Sequence, residues 1–188
     1  MAFLYNKRIR QFVLFVILAW GTWSFFVVNQ MPLAKVLVLL LAFISFIFII
    51  FEISPIFILI SLSFMTAYSL YSFLLQLGLP LWVLMIAIFV LFGFLFTYTE
   101  QKIGILGNKR LIYLVLFSLI ILEVFLILSY FLINPLSQSL IIAAISYLFI
   151  GFCYTVLARH EDNSFGTYIF YTLLVIFLVL VSFGWQSV

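Results

Sequence analysis

The feature that most constrains this chain is a succession of apolar stretches, each about 20 residues long and separated only by short turns. A stretch of that length crosses a ~30 Å hydrocarbon core as an α-helix. Seven can be traced, at roughly 9–28, 33–51, 56–76, 80–98, 111–133, 137–158 and 165–185. Backbone N–H and C=O groups in hydrocarbon have no water to bond, which leaves the helix as the natural solution. The sequence therefore predicts an all-α integral membrane protein. The expected form is a polytopic bundle of about seven transmembrane helices, a single domain over 1–188 with no soluble domain.

Composition agrees. Of the 188 residues 69% are hydrophobic and 7% charged, against about a quarter charged in an ordinary soluble domain. A water-soluble fold of this size could not cover itself with polar surface, so its solvent is the lipid bilayer. A prokaryotic inner or plasma membrane is the expected location. Phe is abundant, and the Phe-rich faces are expected to meet lipid or a partner.

The helix breaks are marked by turn chemistry. Pro32, Pro55, Pro80 and Pro135 each fall at the start of a proposed span, where a missing N–H costs nothing. Ser54 and Asn134 precede two of them and suit the N-cap position. The Glu52-Ile53-Ser54-Pro55 join must be a very tight hairpin, because 33–76 is far too long for one crossing. The basic start at Lys7, Arg8 and Arg10 resembles a secretory signal, but the apolar run continues to Val28 without a small-residue cleavage site. An uncleaved first helix is expected, with six spans and the first lying in the interface as the fallback.

Orientation follows from the basic residues. With the N-terminus inside, Lys7, Arg8, Arg10, Lys102, Lys109, Arg110 and Arg159 are cytoplasmic, and only Lys35 falls outside. The C-terminus is then outside. Trp23, Trp82 and Trp185, with Trp20 somewhat deeper, all gather toward the outer side, as indoles do at an interface.

Few residues could carry chemistry. Glu123 is the one ionisable residue deep inside a span, where a charge costs roughly 3 kcal/mol on insertion scales. It is expected to face the bundle interior and to be paired or neutralised there. At about 100° per residue, Tyr130 and Asn134 share its helix face, so Glu123, Tyr130 and Asn134 form a candidate intramembrane polar site. Asn134 also reads more simply as a cap. Span three carries Ser61, Tyr68 and Ser72 on one face, and span six carries Gly151 and Thr155. Small and hydroxylated faces let helices approach closely and bond to one another. These residues are a candidate packing face, or the lining of a cavity for a lipid-like or small molecule. Spans three, five and six are expected at the centre. The consecutive His160-Glu161-Asp162 reads as a solvated helix cap, and Cys153 as a packing residue.

The inventory excludes much. One His and one Asp leave no paired-histidine haem ligation, no H-E-x-x-H zinc chemistry, no copper centre and no paired-aspartate protease. There is no C-x-x-C, no Gly-rich phosphate loop and no basic-aromatic run for nucleic acid. No catalytic constellation, cofactor site or metal site is expected. The favoured reading is a non-enzymatic subunit, a scaffold or accessory protein of a larger membrane assembly whose partners are other membrane subunits. The alternative is a small transporter or channel component with Glu123 as its proton, cation or solute site.

Overall fold

A computed structural model describes residues 7–30, 32–104, 110–131 and 134–154, with 166, 169, 172 and 173 besides. The described residues form six helices: α1 (Lys7–Val28), α2 (Pro32–Phe51), α3 (Pro55–Leu77), α4 (Leu81–Ile103), α5 (Arg110–Tyr130) and α6 (Pro135–Phe152). All six are long and apolar enough to cross a membrane. The expected seventh span, 165–185, lies outside the described residues except at four helical positions, among them Thr172. Thr172 is buried, and its hydroxyl donates to the Ala144 carbonyl at 3.5 Å, so that position packs on α6. Thr155, Arg159, His160, Glu161, Asp162 and Trp185 also lie outside the described residues.

The prolines mark the helix starts, each for a local reason. At α6 the Asn134 side chain accepts from Leu136 N at 3.1 Å, with Pro135 next to it. At α3 the Ser54 side chain accepts from Phe57 N at 3.4 Å. The tight hairpin at 52–55 exists and needs left-handed backbone at two non-glycine residues, Glu52 (φ 53°) and Ser54 (φ 46°). Such a residue costs roughly 1–2 kcal/mol. The gain is a closed α2 end, in which Ile53 N donates back to Phe48 O at 3.1 Å.

Two boundaries differ from expectation. Helix α4 runs five residues past 98 because hydropathy, not helicity, ends there. The Thr97–Lys102 stretch stays helical until Gly104, left-handed at φ 72°, puts its N–H on Glu100 O. Helix α5 stops at Tyr130 instead of 133.

Helix α3 is the centre of the bundle. Every residue from Ser61 through Ser72 is buried, and a helix buried all round is one surrounded by others. Helices α1, α4 and α6 pack on it, with the widest contact to α6; α2 rests on α1 and, less widely, on α3, and α5 on α4 and α6. Small residues set the spacing. A Cβ built on Gly21 would lie 2.6 Å from Met65 Cβ, so α1 reaches α3 this closely only because position 21 has no side chain. Ser61, Tyr68, Ser72 and Gly151, from the candidate packing faces, are buried. The expected centre is corrected in one respect: α5 is peripheral, and α4 takes the place expected for it.

Polar and aromatic groups join the helices differently from what the sequence suggested. Ser61 and Ser69 bond back to their own helix, at Ile58 O (3.2 Å) and Met65 O (3.0 Å). The bond from α3 to α5 is made by Tyr71, whose hydroxyl donates to Phe125 O at 3.2 Å. Several Phe side chains hold the interior instead of facing lipid. Phe96, Phe117 and Phe149 bring α4, α5 and α6 together at ring separations of 5.0, 5.1 and 5.8 Å, where tilted and offset rings are favourable.

Candidate functional site

Six charged residues, Lys7, Arg10, Glu52, Glu100, Lys102 and Arg110, gather at one end of the bundle. Glu52, at the α2–α3 turn, accepts from Arg10 Nη2 at 3.3 Å and from Lys102 Nζ, with Lys7 Nζ at 3.7 Å. Arg10 also donates to Gln101 Oε1 at 3.2 Å and stands over the Tyr98 ring at 5.2 Å. Beside this cluster Arg110 pairs with Glu100 at 2.8 Å and donates to Thr97 O at 3.1 Å. Burial pushes the Glu52 carboxyl up, but the Lys102 hydrogen bond and the charges of Lys102, Lys7 and Arg10 outweigh it. The group is held below its ordinary 4.5. A carboxylate shared by α1, the α2–α3 turn and α4 clamps three parts of the bundle at one depth.

At the opposite end lies a polar cavity of about 400 Å³. Tyr68 and Ser72 of α3, Asn29 and Gln30 after α1, Gln76 and the cap Asn134 line it. It adjoins a second hollow of about 330 Å³ through shared Leu75, Asn134 and Pro135. Tyr71, Ser129 and Gln138 line that second hollow. Gln138 is 2% exposed. Its Nε2 donates to Leu128 O at 2.7 Å and, more weakly, to Phe131 O at 3.4 Å. The amide oxygen is thereby left without a partner among the described residues. Exposed Trp23 and Trp82 stand near this end.

The structure thus brings together Tyr68, Ser72 and Asn134 from the two sequence-derived groups, and leaves the others apart. Ser61 lines the apolar slot next to the cavity, and Gly151 is buried in α6. Glu123 is corrected. It sits on the exposed face of α5 rather than in the bundle, and Tyr130 on that face is 79% exposed. The exposed stripe runs Ile112, Leu116, Leu119, Glu123, Ile127 and Tyr130, spaced at three and four residues. The inward side of α5 is taken by Phe117, Ser118, Ile121, Phe125 and Leu128. A carboxyl in the middle of a span carries no sign of which way it turns. Helical phase decides that, and Phe117, Ile121 and Phe125 are one turn apart on the other side.

Sequence reading missed Gln138 and the Glu52 clamp. Gln138 stands four residues after Asn134 inside an apolar span, and a buried amide needs partners; that was its available signal. For Glu52 the signal was an acid amid cations that all belong to one side. A further hollow, about 870 Å³ between α1 and α2, has an almost wholly apolar lining in which Thr22, whose hydroxyl donates to Leu18 O, and Trp23 are the residues that carry polar atoms. Among the described residues no group of His, Cys, Asp and Glu could hold a metal ion. Comparison with known families, with characterised proteins and with solved structures finds no match for this chain.

Proposed function

We propose that this chain is a non-enzymatic multi-pass membrane subunit that packs through α5 against a partner helix in a larger membrane assembly. The observation that carries the reading is Glu123, mid-span and on an outward apolar stripe. A charged carboxylate left in hydrocarbon costs roughly 2.5–3.5 kcal/mol on insertion scales. A partner helix that offers a hydrogen-bond donor at that depth removes most of that cost. Inter-helix polar contacts in membranes contribute about 0.6–2 kcal/mol, enough to select a partner and a register. In this reading the clamped end of the bundle is cytoplasmic, because the basic residues gather there.

The test is purification after gentle solubilisation, with Leu119→Cys and Ile127→Cys as cross-linking sites in a Cys153→Ala background. A stoichiometric membrane partner that cross-links at both positions, and is lost with Glu123→Leu, is the expected result. A chain that purifies alone and cross-links to nothing at either position sinks the proposal.

The polar cavity favours a second reading, a small transporter or channel component. In that case the solute site lies at Tyr68, Ser72 and Asn134, not at Glu123. Uptake then survives Glu123→Leu and fails in Gln76→Trp, which fills the cavity rim.

A further inference from the structure

We infer that the polar cavity, its adjoining hollow and the apolar slot beside them form one binding site for a neutral, hydroxyl-bearing lipid of the acylglycerol class. The inference is independent of the α5 face. The slot, about 370 Å³, runs between α2 and α6 over α3. Val38, Leu41, Phe64, Leu140 and Ala143 are among its walls. It meets the polar cavity at Leu136, which lines both. At the same junction Phe25, from the slot, packs on Tyr68, from the cavity, with ring centroids 4.4 Å apart. Leu37 on its wall is 58% exposed, so the slot opens sideways, toward the region that acyl chains occupy. A polar chamber at the end of a span that continues into a lateral apolar slot has the shape of an amphiphile lying along a helix bundle.

The chemistry of the chamber selects the headgroup. None of the described residues that line the cavity and its adjoining hollow is charged. A phosphate or ammonium head would therefore lose hydration without gaining a counter-charge there. An uncharged head avoids this cost. Gln138 supplies the complementary observation. Its nitrogen is committed to Leu128 O, while its buried oxygen has no partner among the described residues. A buried acceptor without a donor is unfavourable, and a ligand hydroxyl is a donor that supplies what is missing. The Asn134 oxygen is occupied by the helix cap, which leaves its amide N–H groups to donate to a ligand oxygen. Donor and acceptor demands of this kind are met by a glycerol or sugar hydroxyl, which does both.

The experiment is native mass spectrometry of the full chain released from phosphatidylcholine nanodiscs doped with one probe at a time. The probes are dioleoylglycerol, dioleoyl-phosphatidylglycerol, hexadecane and free glycerol. Dioleoylglycerol is expected to be retained at one per chain, at least tenfold over the other three. Gln138→Leu should cut that retention about tenfold, and Leu37→Trp, at the exposed slot mouth, should abolish it. Should Gln138→Leu fail to fold, Leu37→Trp decides alone, since its site is exposed. Equal retention of phosphatidylglycerol overturns the neutral head, and equal retention of hexadecane overturns the polar chamber. Binding of free glycerol as tight as that of dioleoylglycerol overturns the slot. Dioleoylglycerol retention unchanged in Leu37→Trp overturns the site as a whole.

Discussion

Arg10 and Glu52, 42 residues apart in the chain, meet at 3.3 Å and join the first helix to the turn between the second and third. Both side chains are largely covered, at 11% and 15% exposed, so the pair is better shielded than a surface ion pair. Removing one partner leaves the other charge covered and uncompensated. Glu52→Gln is therefore expected to cost roughly 1–3 kcal/mol, more than substitution of Lys7 by Gln, since the Lys7 side chain is 61% exposed. Thermal melting in one detergent, with the two variants side by side, checks the order. Equal melting temperatures would remove the clamp from the account of stability.

The same carboxyl gives a pH dependence of known sign. Its folded pKa lies below the ordinary 4.5. The unfolded chain therefore takes up the proton first as pH falls. The stability that Glu52 contributes is complete above about pH 4.5 and is lost as pH drops through the folded value. Wild-type melting should fall over that acidic window more steeply than melting of Glu52→Gln. Parallel curves for the two proteins below pH 5 would count against it.

Two glycines at helix contacts differ in how much space they leave. At Gly21 an added Cβ meets Met65 Cβ at 2.6 Å, with the Met65 backbone at 3.3 Å behind it. At Gly93 the nearest atom is Ser118 Oγ, a side-chain oxygen at 3.2 Å. A hydroxyl rotates away, but a helix backbone must translate. Gly21→Ala should cost about 1–3 kcal/mol, the usual range for overpacking, and Gly93→Ala less. Melting of both variants tests this, and a larger loss at Gly93 refutes it.

Six of the seven expected helices and their starts were legible because proline, serine and asparagine act locally: Ser54 and Asn134 cap the helices they precede. The burial of α3 was legible too, since Ser61, Tyr68 and Ser72 on one face are costly to leave in lipid. What the sequence hid depends on how helices turn about their axes and on contacts between distant segments. Gln138 meets Leu128 O across the α5–α6 turn, and Glu52 meets Lys102 from 50 residues away. Neither spacing has a local signature. Glu123 was placed inside by its cost alone, but cost says only that the carboxyl needs a partner, not that the partner belongs to this chain.

Topology can be read at the two polar ends. In a Cys153→Ala background, Gln76→Cys at the cavity end and Lys7→Cys at the clamped end should label from opposite sides of the membrane. The side that holds the clamp should be cytoplasmic, as its excess of Lys and Arg requires. Labelling of both from one side contradicts the through-membrane direction of α1 and α3.

Replacing Glu123 by Leu separates an outward from an inward carboxyl by the sign and size of two effects. Were the side chain packed inside, Leu would break a polar contact and force repacking, at a cost of about 1–3 kcal/mol in folding. On the exposed face of α5, the residue meets the same apolar surroundings before and after the helices assemble. The folding stability of the isolated chain should then change by no more than about 0.5 kcal/mol, as for other surface substitutions. Insertion is a different equilibrium. It should improve by roughly 3 kcal/mol, since a charged residue at mid-helix is replaced by one that favours the bilayer. Ser118→Leu is the control on the same helix, because Ser118 is fully buried next to Gly93 and should lose stability by overpacking. Unfolding in mixed micelles measures the first quantity and a glycosylation-tag insertion assay the second. A loss of folding stability in Glu123→Leu equal to that in Ser118→Leu would put the carboxyl back inside the bundle.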